Sequence, residues 1–281
     1  MCRWLAYNGP VIQLGPLLFE PDNSIVRQSL QAREGAAPVN GDGFGLGWYD
    51  ETDPEPCRYR SIQPAWNDAN LRDVTRNLRS RALLAHVRAS TGGAVQTTNC
   101  HPFQYGRWLF CHNGEIGDFH RIRRSLMLAI DPALYNNVEG TTDSEVLFHL
   151  ALTFGLEDAP HRALQQAVSF VEDTARSAGI AAPCVQMTVG ITDGDRTYVA
   201  RYATRGKPRS LYHSTGVPAL KHLCSGHPDL AEIDPGSEVH LVVSEPLDAL
   251  PGNWARVSPG TFVTLASGEA EEQPFTPSAA S

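Results

Sequence analysis

The sequence has no apolar run close to the roughly 20 residues that a membrane span needs. Its first ten residues, MCRWLAYNGP, include no apolar segment of the signal-peptide kind, so we expect a cytoplasmic protein. The sequence has 23 basic and 31 acidic residues, which gives a net charge of −8. Basic residues are therefore too few for a basic surface. This balance argues against nucleic acid or an anionic membrane as the main partner.

The cysteines form no disulfide or zinc pattern. Six of them are scattered over 281 residues without a single CxxC pair, which is not a disulfide framework. The pairs Cys100-His101 and Cys111-His112 allow a zinc site only as a minor alternative, because the short segment between them is typical of paired strands. The glycine-rich run 41–47 lacks phosphate-loop spacing and predicts a tight turn or a close backbone approach.

The order of elements predicts an α+β fold. Strand patterns fall in two batches, one before residue 115 and one after residue 183, with helical patterns mainly between them. This arrangement favours two packed sheets covered by helices. We expect a single domain over 2–267 and, because it lacks a core pattern, a mobile tail over 268–281.

Cys2 is the residue best suited to nucleophilic catalysis. If Met1 is removed, Cys2 carries a nucleophilic sulfur and a free α-amine on neighbouring atoms. That amine has a pKa of roughly 7.7–8, so it can accept a proton near neutral pH. Thiol and base then come from one residue. Taken alone, a chance cysteine near the start would be the simpler interpretation.

Two charged residues are candidates for binding a zwitterionic head group. Arg88 follows a buried apolar strand, where its guanidinium could grip a carboxylate with two hydrogen bonds. Asp143 opens a helix with the capping-box run Thr142 to Glu145. Thr91 lies three residues after Arg88 and could assist. The alternatives remain a structural arginine at a sheet edge and an ordinary first-turn aspartate.

Asn113 and Gly114 are candidates for an oxyanion hole. An Asn amide and the following N–H could point together at a developing negative charge. The pattern 108–114 otherwise predicts a strand that stops at an Asn-Gly turn, which is the commoner use of this dipeptide.

The order of these motifs resembles the class II glutamine amidotransferases, members of the N-terminal-nucleophile hydrolases. The matching runs, in chain order, are Cys2, Asp42-Gly43, HVRAST (86–91), NCHP (99–102), HNG (112–114) and TDSE (142–145). The chain is most similar to a branch of γ-glutamyl hydrolases and amidotransferase-like subunits, through runs such as MCRWLAY, NGDGFGLGWY and SEPLD.

The resemblance implies a four-layer αββα sandwich without metal or cofactor. It implies Cys2 as the nucleophile, with Asn113 and Gly114 as the oxyanion hole. It assigns Arg88 and Asp143 to a glutamyl head group, and Thr91 and His101 to the same binding site.

The resemblance also has departures that bear on the substrate. Synthases of this class usually carry Trp and His where this chain has Ala89 and Gly92. We therefore expect a hydrolase of γ-glutamyl amides that releases glutamate through a thioester, with glutamine as a poorer substrate. The alternatives are a glutaminase subunit that feeds ammonia to a partner, and a non-catalytic γ-glutamyl-binding module. A protein partner or homo-oligomer remains open, and segments such as 30–40 and 61–70 are expected to shape the leaving-group side.

Overall fold

The computed structural model describes residues 2–35, 38–90, 93–180, 184–214, 216–224, 227, 233–266 and 269–277. Its strands, in chain order, are β1 (Arg3–Gln13), β2 (Phe44–Trp48), β3 (Cys57–Ser61), β4 (Arg79–Val87), β5 (Phe103–Tyr105), β6 (Trp108–Ile116), β7 (Val185–Thr192), β8 (Thr197–Ala203), β9 (Tyr212–Ser214), β10 (His240–Val243), β11 (Trp254–Arg256), β12 (Thr261–Ala266) and β13 (Glu269–Pro274). Its helices are α1 (Leu14–Phe19), α2 (Ile25–Leu30), α3 (Ala69–Thr75), α4 (Phe119–Ala129), α5 (Pro132–Tyr135), α6 (Asp143–Thr153), α7 (Pro160–Ser177) and α8 (Val217–Leu223).

The strands form two antiparallel sheets. The first sheet has seven strands in the order β11-β9-β10-β1-β4-β2-β3, and the second has six in the order β13-β12-β8-β7-β6-β5. The site described below involves β1, the middle strand of the first sheet, its neighbour β4, and β6 of the second sheet. The two batches of strands predicted from the sequence are thus both present.

Side-chain alternation along β1 shows how the layers stack. Leu5 and Tyr7 face the core that the first sheet shares with α1, α2, α3 and α8. Trp4 and Ala6 point to the opposite face and pack in the core between the sheets. Successive strand residues face opposite sides of a sheet, so a strand with apolar residues on both faces belongs to an inner layer.

The second sheet is arranged in the same way. Phe110 and Met187 join the core formed with α4 to α7, whereas Leu109 and Val199 join the core between the sheets. The layers therefore follow the order helices, sheet, sheet, helices. This confirms the predicted α+β sandwich of αββα type.

Two contacts fix the distance between the sheets near the site. The indole Nε1 of Trp4 donates to Thr188 Oγ1 at 3.0 Å. A Cβ added at Gly190 would lie 2.9 Å from the same indole ring, so only glycine lets β7 approach Trp4 this closely. The start of β1 is thereby held directly over β7.

Two elements differ from the sequence-based predictions. The helix predicted over 70–80 ends at Thr75, because Arg79 already pairs with Gln13 of β1. Strand β6 does not turn at Asn113-Gly114 but continues to Ile116. Pairing with β7 persists through both residues, which removes the turn.

The expected mobile tail also differs from the structure over part of its length. Glu269–Pro274 pair with β12 along the edge of the second sheet, and Phe275 is 1% exposed within the helix-side core. A strand at the edge of a sheet can form with backbone partners and a single apolar anchor. The acidic residues within 269–272 show no apolar alternation, so the sequence did not predict this strand. Residues 278–281 lie outside the described residues.

Candidate active site

A cavity of about 360 Å³ opens where β1, β4 and β6 meet the start of α6. This volume is at the lower end of the roughly 300–1,000 Å³ typical of small-molecule sites. Six of the seven residues predicted from the sequence line it: Cys2, Arg88, His101, Asn113, Gly114 and Asp143. The seventh, Thr91, lies outside the described residues, and its role stays a prediction.

Cys2 lies next to the end of β4. The register pairs Arg3 with Val87, so the residue before β1 meets the residues after β4. The backbone N–H of Ala89 donates to Cys2 Sγ at 3.5 Å, and Sγ lies 3.6 Å from Ala89 O. Burial raises the pKa of the Cys2 thiol above its usual value, and the Ala89 hydrogen bond and the Arg88 charge offset this only in part. The thiol therefore needs a base to become a nucleophile.

Arg88 is a buried cation at the rim of the same strand. It is only 4% exposed, and its backbone N–H donates to Gly43 O at 2.8 Å. Its guanidinium donates to Asp42 O at 3.4 Å and to Ser90 Oγ at 3.3 Å. Among the residues that the structure describes, no carboxylate forms an ion pair with it. A buried charge without a counter-charge is costly, so this site suits an anionic ligand.

Asp143 supplies the opposite charge. As the first residue of α6 it accepts hydrogen bonds from Ile116 N at 2.7 Å and from Ser144 N at 2.8 Å. These donors hold a half-buried carboxylate in one orientation at the cavity wall. Asp143 and Arg88 thus present one negative and one positive charge to a single cavity.

The capping box predicted at this helix is only half formed. The Thr142 hydroxyl accepts from Glu145 N at 3.2 Å, as predicted. The Glu145 carboxylate, however, does not accept a hydrogen bond from the Thr142 backbone N–H, as a full capping box requires. It accepts from Glu139 N at 3.0 Å and Gly140 N at 2.7 Å instead, and so fixes the segment that leads into the helix.

The hydrogen-bond pattern of β6 leaves the N–H of Gly114 unused by β7. Gly117 N donates to Cys184 O, while Val185 directs its N–H and C=O to Thr204 on the far side. Antiparallel pairs alternate between bonded and non-bonded types. Gly114, opposite Met187 in this register, is therefore of the non-bonded type and directs its N–H away from β7.

The opposite side of β6 is open at this point. Strand β5 pairs with β6 only over Trp108–Phe110, so it ends before Gly114. The N–H of Ile116, two residues along, points to the same side and reaches the Asp143 carboxylate. The Gly114 N–H consequently faces the cavity.

Asn113 adds a side-chain amide to this wall. It is 3% exposed, and it lines the cavity together with Cys2. No described residue forms a hydrogen bond with its side chain. A buried amide normally has a partner, so a ligand atom is the natural one.

Two histidines near the site, His86 and His101, are buried and packed against each other. The rings of His86 and His101 lie 4.1 Å apart, and none of their four ring nitrogens has a hydrogen-bond partner. Burial, helped by the Arg88 charge, lowers the pKa of His86 to about 3, and burial likewise lowers the pKa of His101 well below its usual value. His101 lines the cavity as an uncharged ring, and its part in substrate binding stays a prediction.

A buried ion pair behind the nucleophile escaped the sequence-based reasoning. Arg3 Nε lies 2.5 Å from Glu245 Oε1, and Arg3 also donates to Cys2 O at 2.8 Å. The Glu245 carboxylate accepts the backbone N–H groups of Arg33 and Glu34 as well. The pair therefore ties Cys2 to the segment around residue 33. The runs MCRWLAY and SEPLD contained both residues, but only their pairing in space reveals the role.

The glycine-rich run provides a close approach and not a ligand loop. A Cβ at Gly45 would lie 2.2 Å from His101 O, and one at Gly43, where φ is +110°, would lie 2.7 Å from Cys100 Sγ. Larger residues would push β2 away from the segment 100–102. Of the two interpretations left open, the structure therefore supports the close backbone approach.

The described residues hold no group of three or more His, Cys, Asp or Glu side chains arranged to bind a metal. Cys111, one member of the alternative zinc pattern, is buried between the two sheets. Within the described parts of the chain, no helix has the length and apolar character of a membrane span.

The sequence and the fold match those of known proteins. The sequence profile of the class II glutamine amidotransferases matches residues 18–201. The chain belongs to this family and is accordingly an amidohydrolase. Because the matched region begins at residue 18, it does not include Cys2.

Several relatives support this assignment. The chain is 33% identical to the Saccharomyces cerevisiae protein described as "Probable glutamine amidotransferase DUG3", over 94% of this chain and 82% of that protein. It is also 33% identical to the γ-glutamyl-hercynylcysteine sulfoxide hydrolase of Mycolicibacterium smegmatis, over 56% of this chain and 65% of that protein.

Solved structures show the same fold. A glutamine aminotransferase class-II domain protein from Silicibacter pomeroyi superposes with a TM-score of 0.73 at 33% identity, over 98% of this chain and 99% of its own. The glutamine phosphoribosylpyrophosphate amidotransferase of B. subtilis gives a TM-score of 0.63 at 16% identity. This chain covers only 49% of that protein, and the likeness concerns the fold alone.

Proposed function

We propose that this chain hydrolyses γ-glutamyl amide bonds, with Cys2 as an N-terminal nucleophile. The observation that carries the proposal is the shared cavity of Cys2, the unpaired Arg88 cation and the oriented Asp143 carboxylate. A glutamyl group has a carboxylate and an ammonium on one carbon. Arg88 and Asp143 suit these two charges and leave the side-chain carbonyl to reach the thiol.

The proposed reaction starts once Met1 has been removed. The Cys2 α-amine takes the thiol proton, and the sulfur attacks the γ-carbonyl carbon. The Asn113 amide and the Gly114 N–H stabilise the oxyanion. The C–N bond then breaks, and the amine leaves with the proton from the Cys2 ammonium. Water attacks the resulting thioester with the same amine as base, which releases glutamate and restores the thiol.

The raised pKa of Cys2 supports this use of the α-amine. A thiol that stays protonated near neutral pH needs a base within reach, and the buried His101 and His112 are weak bases because burial lowers the pKa of each. An α-amine with a pKa of roughly 7.7–8 is suitable for the task. Retained Met1 would convert this amine to an amide, which is not a base.

The leaving group is proposed to be larger than ammonia. Ala89 replaces the tryptophan usual in synthases, and the Mycolicibacterium smegmatis relative is named as the hydrolase of a larger γ-glutamyl compound. The runner-up is a glutaminase that delivers ammonia to a partner protein. In a non-catalytic binding module, the thiol would have no function.

A γ-glutamyl panel separates these possibilities. The purified chain is incubated with glutamine, glutathione, γ-glutamyl amines and γ-glutamyl peptides, and glutamate and ammonia are measured. Release of glutamate from the larger amides, without a partner, supports the hydrolase. Turnover of glutamine alone would support the ammonia supplier, and binding without turnover would support the module.

A further inference from the structure

A second cavity, of about 270 Å³, adjoins the first one. Asn113 and Arg209 line both cavities. Asn113 is the proposed oxyanion donor, so the second cavity begins at the position of the scissile bond. Residues 34 and 35 line it, as expected for the segment 30–40, whereas none of the residues 61–70 lines either cavity. The expectation that 61–70 shapes the leaving-group side is therefore wrong for the cavity walls.

The backbone at Arg209 is held in place, whereas its guanidinium has an unused hydrogen-bond donor. The buried Arg201 donates to Arg209 O at 2.6 Å and to Pro208 O at 3.1 Å, which fixes the backbone of this segment. The Nε of Arg209 is buried and lacks a hydrogen-bond partner. Its Nη2 forms an ion pair with the Glu115 carboxylate at 3.8 Å, a separation beyond hydrogen-bond distance. The side chain is 27% exposed.

The charges around the second cavity favour an anion. Lys207, Arg209 and Arg256 line it, against one carboxylate, that of Glu34. Glu34 accepts a hydrogen bond from Tyr212 at 2.8 Å. The fourth cation of the wall, Arg3, is already paired with Glu245. Glu115 pairs with Arg209 from outside the cavity wall, so one positive charge remains in excess.

We propose that Arg209 binds a carboxylate on the amine half of the substrate. The preferred substrates are then γ-glutamyl amino acids or peptides, and not glutamine or simple γ-glutamyl amines. This inference rests on the proposed hydrolysis, because it assigns the leaving-group side of the same site. Arg88 and Asp143 bind the glutamyl half, so two arginines recognise two carboxylates on opposite sides of the scissile bond.

A matched pair of substrates isolates this contact. γ-Glutamyl-L-alanine and γ-glutamyl-ethylamide differ only by the carboxylate of the leaving amine. We expect kcat/KM to favour the alanine compound by roughly 10- to 100-fold, the range for a hydrogen-bonded charge. In Arg209→Gln this ratio should fall toward one, and Arg209→Lys should restore part of it. Arg205→Gln is the control, because Arg205 is exposed on the same segment and lines neither cavity.

The outcomes separate the inference from the proposed function. An equal kcat/KM for the two compounds, or a preference that survives in Arg209→Gln, overturns the role of Arg209 while hydrolysis stands. Failure to hydrolyse any γ-glutamyl compound overturns both. Arg209→Lys provides the test if the melting curve of Arg209→Gln shows that it does not fold. An ammonium does not replace a bidentate guanidinium contact. A preference for γ-glutamyl-L-alanine that is undiminished in Arg209→Lys would then contradict the inference.

Discussion

The Asp143 carboxylate accepts the backbone N–H of Ile116 at 2.7 Å. Ile116 lies two residues beyond Gly114 on the same open edge of β6, so one strand edge serves two purposes. One N–H orients the carboxylate proposed to hold the substrate ammonium, and the other faces the cavity where an oxyanion would form. The spacing between head group and reacting carbonyl is thereby set by the rigid geometry of a strand.

We expect the loss of either head-group charge to affect all γ-glutamyl substrates alike. Asp143→Asn keeps an oxygen for the Ile116 N–H but removes the charge, and Arg88→Gln removes the opposite one. Each should lower kcat/KM by a factor equivalent to about 2–5 kcal/mol, the cost of leaving a desolvated partner unpaired. Steady-state kinetics on three substrates with different leaving groups checks this. Losses that depend strongly on the leaving group would contradict the assignment.

Asn113→Ala should act on kcat. Loss of one side-chain oxyanion donor lowers kcat by roughly 10²–10³, and KM should move less because the contact strengthens as charge develops. Asn137→Ala is the matched control, since Asn137 is exposed and lines neither cavity. A change confined to KM would make Asn113 a ground-state binder.

The buried pair of Arg3 and Glu245 should dominate local stability. Glu245→Gln leaves the Arg3 guanidinium without its carboxylate, which costs roughly 3–5 kcal/mol when a buried pair is broken. Asp173→Asn, which breaks an exposed pair with Arg176, should cost less than about 1 kcal/mol. Urea unfolding of the two variants gives the comparison, and similar losses in both would refute the account.

The buried His86 should make the fold weaker in acid. Its pKa falls from an ordinary 6.5 to about 3 in the folded chain, so the unfolded chain binds the extra proton first. The contribution of His86 to the free energy of unfolding is then fully present above about pH 6.5 and is lost as the pH falls toward 3. At pH 5 the free energy of unfolding should be lower by roughly 2 kcal/mol because of this group. NMR titration of the imidazole checks the cause, and a midpoint near 6.5 in the folded protein would disprove it.

Much of this site could be predicted from local motifs. Arg88 and Asp143 stand at the end of a strand and the start of a helix, and both positions are legible from hydrophobic patterning and capping residues. Asn113-Gly114 was harder, because the same dipeptide usually makes a turn and only pairing with β7 keeps it extended. The local sequence around Asn113 does not show that β7 will pair with this part of β6.

Contacts between distant segments account for what the sequence did not reveal. Arg3 meets Glu245 across 242 positions, and Arg209 reaches the cavity only because Arg201 fixes the segment that bears it. The capping box gave the helix start correctly, yet the Glu145 side chain found better donors at residues 139 and 140.

Cys2, freed of Met1, is proposed to form a γ-glutamyl thioester during turnover. Rapid quenching of the enzyme during turnover of γ-glutamyl-L-alanine, followed by mass spectrometry of the N-terminal peptide, tests it most directly. We predict a peptide that begins at Cys2 and carries one γ-glutamyl group, and none in Cys2→Ala. Turnover at the full rate by protein that retains Met1, with no acyl group on Cys2, would contradict the account.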